Sequence, residues 1–276
     1  MLCPRPYLKG LDAFGCGQCL SCRINRRRLW THRMLLEQYM HPATCVVALT
    51  YKEDPDELQP RDLQLFLKRL RRAISPRTLR FYAVGEYGDE SQRPHYHAVL
   101  FGVCISEEET INKAWGHGFV CVQEATPGTL SYVVGYVIKK LTKEEDPRLK
   151  GRHPEFARMS LNPGIGRNAL PTIASKLSDR HGAKLIADAR DVPSVLLLGR
   201  KKLPLGRYLK SKLKEDLGYD LAEPSKALQE KRAEMHALRE ASGSHALFKA
   251  MKPFIEHQKI LQAETKHRIY RQRRSI

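Results

Sequence analysis

Two histidines, His95 and His97, stand at i and i+2 in the run Arg93-Pro-His-Tyr-His-Ala-Val-Leu-Phe101. The run reads as a strand, whose side chains alternate, so both imidazoles project from one face about 7 Å apart at Cα while Tyr96 goes to the other. Two imidazoles so placed can converge on one metal ion; a histidine pair lining a polar sheet face is the plainer alternative. Glu86 ends the preceding strand-like segment, and a turn over Gly88 to Pro94 sets it across from His95. Its carboxylate would complete a set of two histidines and one carboxylate, leaving positions open for water and substrate oxygens. The competing reading is a surface carboxylate paired with Arg93. His117, in Trp115-Gly-His-Gly118, reads as a loop histidine with a lesser claim as an extra ligand.

Tyr132 and Tyr136 follow in Ser131-Tyr-Val-Val-Gly-Tyr-Val-Ile-Lys-Lys140. At i and i+4 of a helix both phenols share a face. Lys139 and Lys140 lie three and four residues further on, while Val133, Val134, Val137 and Ile138 would pack inward. A pair of amphipathic tyrosines on a half-buried helix is the structural reading of the same pattern. A phenol with a free pKa of about 10 is a poor nucleophile at neutral pH. A divalent metal polarising a phosphodiester, with a lysine beside the developing charge, would lower that barrier and leave a phosphotyrosine link to DNA.

The elements that must carry these groups follow from periodicity. Cys45-Val-Val-Ala-Leu-Thr-Tyr51 reads as a buried strand. Pro60 opens a helix with Leu63, Phe66, Leu67 and Leu70 at i, i+3, i+4 and i+7. Leu79 to Tyr87 and His95 to Val103 form an antiparallel pair. Ser106 and Glu109 suggest a capping box on a helix running to about Trp115. Gly118 to Gln123 is a fourth strand and Thr129 to Leu141 a further helix. The order β-α-β-β-α-β-α predicts an α+β, ferredoxin-like split βαβ fold, an antiparallel sheet with helices on one face. Four segments are expected: a Cys- and Arg-rich stretch over 1–42, a core over 43–145, a proline-punctuated, loop-rich extension over 146–210, and a basic helical region over 211–276.

The chain has 276 residues, with 48 Lys and Arg against 30 Asp and Glu, a net charge of +18. Of that surplus, +10 falls from Arg200 onward, where 19 Lys and Arg meet 9 Asp and Glu. So large an excess points to a polyanionic partner. No apolar run approaches the roughly 18–20 residues of a membrane span. The first ten residues do not resemble a signal peptide, and seven cysteines do not suggest a secreted disulfide framework. The expectation is a basic globular protein of the cell interior, without a membrane partner.

Taken together, these motifs resemble the HUH superfamily of single-strand DNA endonucleases, in particular the replication initiators of microviruses of the gokushovirus type. The resemblance rests on Cys16-Gly-Gln-Cys-Leu-Ser-Cys-Arg23, Leu49-Thr-Tyr51, Gly85-Glu-Tyr-Gly88, Arg93-Pro-His-Tyr-His97, the Tyr132/Tyr136 pair, the segment Met159 to Gly166 and Leu203-Pro-Leu-Gly-Arg-Tyr208. It implies that His95 and His97 bind Mg²⁺ or Mn²⁺, that Tyr132 and Tyr136 are the nucleophiles and that Lys139 assists them; Glu86 as third ligand is a structural inference. It further implies nicking and rejoining of single-stranded DNA at a viral origin in rolling-circle replication, with a host polymerase and helicase as partners, in the cytoplasm of a bacterial host. One departure is Gly135, where related initiators often carry a lysine before the second tyrosine. Which tyrosine cleaves first is open, as is the oligomeric state. No P-loop accompanies these motifs, in keeping with a reaction that conserves energy in its covalent link.

Cys3, Cys16, Cys19 and Cys22 could form a tetrahedral structural Zn²⁺ site; no metal, or an iron–sulfur cluster, are the other readings. Cys45, Cys104 and Cys121 read as buried small hydrophobes. Arg23, Arg26, Arg27 and Arg28, with Lys140, are candidate DNA-binding residues, with Trp30 either stacking on bases or lying in the core. The Arg268 to Arg274 cluster would add sequence-independent affinity. Two other functions fit parts of the pattern: a non-catalytic, basic ferredoxin-like nucleic-acid-binding protein, and an HUH transposase or relaxase.

Overall fold

The computed structural model describes residues 3, 6–9, 12–88, 90–139, 146–219 and 226–241. In chain order the elements are β1 (Tyr7–Lys9), β2 (Asp12–Phe14), α1 (Leu20–Met40), β3 (Thr44–Tyr51), α2 (Pro60–Ala73), β4 (Arg80–Tyr87), β5 (Pro94–Phe101), α3 (Glu108–Trp115), β6 (Gly118–Glu124) and α4 (Pro127–Lys139). They continue with β7 (Phe156–Met159), α5 (Leu170–Leu177), α6 (Arg180–Ala189), β8 (Val195–Leu198), β9 (Lys201–Pro204), α7 (Gly206–Asp216) and α8 (Lys226–Ala241). The chain divides into two compact units. One comprises Arg27–Ile173 and Val195–Lys212, the other Met1–Arg26, Ala174–Ser194 and Leu213–Ile276. No helix among the described residues is long and apolar enough to cross a membrane.

The first unit holds an antiparallel sheet of order β6-β3-β5-β4-β7. For the four strands of the β-α-β-β-α-β repeat this is the interleaved ferredoxin-like order, in which the strand entering and the strand leaving each helix flank a third. Alternation along the strands sends Cys45, Val47, Leu49, Tyr96, Ala98 and Leu100 to one face. There they bury the α2 stripe Leu63, Phe66, Leu67 and Leu70 together with Ile111, Ala114 and Trp115 of α3. The α2 helix opens at Pro60, whose missing N–H is one of the groups a first turn leaves unpaired, and closes on Arg71 and Arg72, cations near the negative end of its dipole.

The opposite face carries Val46, Tyr82, Val84, Val99 and Phe101. It is covered by Met34 of α1 and by Leu130, Val133 and Val134 of α4. Helices therefore lie on both faces of the sheet: α2 and α3 on the expected one, α1 and α4 on the other. Trp30 takes the core position, its ring 5.2 Å from that of Tyr82.

Three local expectations shift. The turn entering α3 is capped by Cys104 with Glu107, whose carboxylate accepts the Cys104 N–H at 3.0 Å, two residues ahead of the Ser106–Glu109 box. Of the three presumed core cysteines only Cys45 is buried; Cys104 is half-buried in that capping turn and Cys121 is exposed on the edge strand β6. The proline-punctuated stretch after residue 146 is also more regular than expected, because its prolines fall at element starts. Pro147 opens a 3-10 turn and Pro171 lies in the first turn of α5. Within it β7 adds a fifth strand beside β4. Gly85 makes that approach feasible, since a Cβ there would stand 2.8 Å from the Phe156 ring.

Candidate active site

Pairing register sets the site. Glu86 on β4 is the direct partner of His95 on β5, and His97 pairs with Val84, so all three side chains emerge on the face covered by α1 and α4. Glu86 Oε1 lies 2.9 Å from His95 Nε2 and 3.4 Å from His97 Nε2. One ligand atom from each of the three residues falls within 4.8 Å of the others. Glu86 is only 6% exposed. A carboxylate this buried, flanked by two imidazoles on one oxygen, is a donor set suited to a divalent cation. His95 Nδ1 faces the Arg93 carbonyl at 3.1 Å, which orients the ring so that Nε2 points to the carboxylate. Arg93 pairs with Asp54 at 3.4 Å and donates to the Tyr51 carbonyl.

The tyrosines reach the same place because Leu130, Val133 and Val134 anchor α4 over Val84, Val99 and Phe101. That contact turns positions 132 and 136 toward His97, two residues along β5 from Val99. The Tyr136 ring stacks on the His97 imidazole at 4.3 Å and 9°. Tyr132 meets the same imidazole edge-on at 6.0 Å and meets Tyr136 at 4.6 Å. Tyr132 is 53% exposed, so its hydroxyl is open to an incoming strand, whereas Tyr136 is half-buried. Two other phenols near the sheet differ in kind. Tyr51 and Tyr96 lie on the opposite face, hydrogen-bonded to each other at 3.0 Å, and burial pushes the Tyr96 phenol up to about 12 and raises that of Tyr51 further. They are protonated structural groups.

His117 is also on that opposite face, 3.9 Å from Asp62 and packed against Tyr51 and Trp115, apart from the Glu86, His95 and His97 set. Arg27 of α1 donates to the carbonyl and hydroxyl oxygens of Ser131, both at 3.0 Å, and its guanidinium carbon would lie 3.6 Å from a Cβ at Gly135. The bare helix surface at Gly135 thus seats an arginine one residue from Tyr136. Arg28 donates to the Lys202 carbonyl at 2.9 Å and is exposed, as is Arg26; Arg23 is half-buried. Lys139 is the last residue of α4, but its side chain, all of Lys140 and the Arg268 to Arg274 cluster lie outside the described residues.

Phe119 is a residue that its sequence pattern does not single out. It pairs with Thr50, which pairs with His95, which pairs with Glu86, forming one row across β6, β3, β5 and β4. At strand spacings near 4.8 Å, Phe119 stands about 10 Å from His95 on the same face, and it is 68% exposed. The signal in the chain is faint: apolar residues occupy both alternating sets of Phe119-Val-Cys-Val122.

The segments read as motifs outside the sheet also interlock. A Cβ at Gly164 would stand 2.7 Å from the Tyr208 hydroxyl, which accepts the Gly164 N–H at 3.1 Å, and the Arg33 guanidinium lies over the Tyr208 ring at 4.8 Å. In the second unit, Cys3, Cys16, Cys19 and Cys22 bring their sulfurs within 4.8 Å of one another. Backbone N–H groups of Cys19 and Gln18 draw the Cys16 thiol down to about 6, while burial pushes that of Cys19 up to about 12.

Residues 44–145 match the model of the replication-associated protein family typified by ORF2. The chain is 31% identical over 159 residues to replication-associated protein VP4 of Bdellovibrio phage phiMH2K, covering 49% of this chain and 50% of that protein. It is 31% identical over 150 residues to replication-associated protein ORF4 of Chlamydia phage 1, covering 45% and 38%. With replication-associated protein ORF2 of Spiroplasma virus 4 the identity is 28% over 181 residues, covering 56% of each. The chain thus spans about half the length of the curated relatives it matches. No solved structure gives a significant match. These matches bear out the resemblance to phage replication proteins read from the motifs.

Proposed function

Starting from a chain whose sheet region is related to phage replication-associated proteins, we propose that it acts in phage DNA replication as a metal-dependent strand transferase. It would nick and rejoin single-stranded DNA at a viral origin through a 5′-phosphotyrosine. The observation that carries this reading is the contact of both Tyr132 and Tyr136 with His97, whose Nε2 shares a carboxylate oxygen with His95. A nucleic-acid-binding module has no use for paired phenols against such a set.

Glu86, His95 and His97 would hold Mg²⁺ or Mn²⁺, which supplies Lewis-acid polarisation of the scissile phosphodiester. The exposed Tyr132 hydroxyl gives up its proton and its oxygen bonds to phosphorus; the bond from phosphorus to the 3′ oxygen breaks, and that oxygen takes a proton. Lys139, three residues beyond Tyr136, would offset charge developing on the phosphate. Tyr136 repeats the step on the regenerated origin. The free 3′ hydroxyl then attacks the first phosphotyrosine, restoring a phosphodiester and releasing Tyr132. Phe119 would stack a base of the strand laid across the sheet. Arg27 would steady the tyrosine helix through Ser131, while Arg23, Arg26, Arg28 and Lys140 track phosphates. The first 3′ end serves a host polymerase with its helicase in the bacterial cytoplasm, and residues 43–145 form the nuclease core.

The test incubates the full chain and Mn²⁺ with 3′-labelled single-stranded oligonucleotides tiling the phage genome, then resolves the products on denaturing protein gels. Label migrating with the protein after boiling, and lost in His97→Ala and in Tyr132→Phe/Tyr136→Phe, is the expected result. DNA binding without adduct on every oligonucleotide would overturn the catalytic reading in favour of a binding protein.

A further inference from the structure

The amino-terminal segment poses a stability problem. It presents a hairpin of two three-residue strands, β1 and β2, followed by the first turns of α1. Tyr7, Phe14 and Leu20 are exposed, and no hydrophobic side chain described between residues 3 and 26 is buried. An isolated two-stranded hairpin is marginal in water, and a segment without an apolar core needs a covalent or metal cross-link.

The four cysteines stand where such a link would close the segment. Cys3 precedes β1, Cys16 follows β2, Cys19 precedes α1, and Cys22 is in its first turn. All four are free thiols rather than disulfides. The Cys3 and Cys19 sulfurs are 3.8 Å apart, and all four fall within 4.8 Å. Four thiolates on a tetrahedral ion at about 2.3 Å must lie about 3.8 Å from one another. Thiolates on a polynuclear iron–sulfur core sit on different irons and are forced further apart, so this spacing suits one ion.

The backbone agrees. The Cys16 N–H points at Cys3 Sγ at 3.2 Å and the Cys19 N–H at Cys16 Sγ at 3.3 Å, so peptide dipoles face the charge that thiolates would carry. A Cβ at Gly15 would come 2.9 Å from Cys22 Sγ, and Gly17 takes φ +76°, a conformation that favours glycine. Both glycines let the chain fold tightly around the sulfurs.

We propose that Cys3, Cys16, Cys19 and Cys22 bind one structural Zn²⁺ that cross-links the β1–β2 hairpin to the start of α1. The site is separate in ligand chemistry from the Glu86, His95 and His97 set, and its existence does not depend on the nuclease reading. Soft thiolates select zinc, whereas the carboxylate-containing set suits a harder ion.

Metal analysis of the full chain, purified under reducing conditions and dialysed against weak chelator, is the deciding experiment. About one zinc per chain is expected, with zinc–sulfur distances of about 2.3 Å by X-ray absorption and thiolate-to-metal charge-transfer bands after Co²⁺ substitution. His95→Ala/His97→Ala should retain the zinc, and Cys16→Ser/Cys19→Ser should lower it to below about a tenth. If the cysteine variant does not fold, zinc release from the wild-type chain by a mercurial thiol reagent, titrated with a zinc-sensitive dye, gives the same answer. Zinc that disappears with the histidines, a visible iron chromophore, or apo protein that takes up no zinc would each overturn the assignment.

Discussion

Replacing Glu37 with Gln should destabilise the sheet-containing unit by about 3–5 kcal/mol, the usual loss when one partner of a buried ion pair is removed. Glu37 on α1 is 0% exposed and Arg80, the first residue of β4, is 6% exposed. The Glu37 carboxylate accepts from the Arg80 guanidinium and, at 2.6 Å, from the Gly166 N–H. Arg80 also donates to the Pro163 carbonyl at 2.7 Å. One pair therefore joins α1, the start of the strand that ends in Glu86, and the turn over 162–166. The amide keeps the volume of the carboxylate and removes its charge, leaving a buried guanidinium with neutral carbonyls. At about 2–4 °C per kcal/mol for a unit of this size, the melting midpoint should fall by about 6–20 °C. Trp30 and Trp115, the two tryptophans of the chain, both lie in this unit, so urea unfolding followed by tryptophan fluorescence reports on it specifically. Glu37→Leu/Arg80→Met, which removes both charges, should recover most of the loss, short of about 1–3 kcal/mol for the stranded Gly166 N–H. A loss in Glu37→Gln below about 1 kcal/mol, the range of exposed pairs, would refute the reasoning. So would a double variant no more stable than the single.

Glu86→Gln should weaken Mn²⁺ binding at least about tenfold, or about 1.4 kcal/mol, because it replaces the charged member of the donor set; calorimetric titration of zinc-loaded protein measures this, and unchanged affinity would exclude Glu86 as a ligand. Phe119→Ala should reduce affinity for single-stranded oligonucleotides by about 1–3 kcal/mol, the contribution of one base–aromatic stack. Fluorescence anisotropy at fixed salt reads the loss, and an unchanged dissociation constant would remove Phe119 from the DNA path.

Much of the candidate site was legible in the chain because its residues are close in sequence and governed by short periods. A two-residue repeat puts His95 and His97 on one face, a four-residue step aligns Tyr132 with Tyr136, and a short turn brings Glu86 opposite His95. The stripe of α2 and the element order were readable for the same reason. Gly135 was legible only as a departure. Its role as the seat of Arg27 joins positions 104 residues apart at Ser131, which no local pattern encodes.

Local periodicity therefore determined the elements, the faces their side chains occupy and the candidate residues, since it follows from 2-residue and 3.6-residue geometry alone. Tertiary structure decided what depends on packing between distant segments. Because β7 is only four residues long, its place beside β4 rests on the Gly85–Phe156 contact. The covering of the second face by α1 and α4, which sets both phenols against His97, rests on apolar surfaces from β3, β4 and β5 burying the helices together. The exposure of Phe119 beside the site follows from β6 being the sheet's edge, a fact fixed by strand order rather than by any residue in the strand.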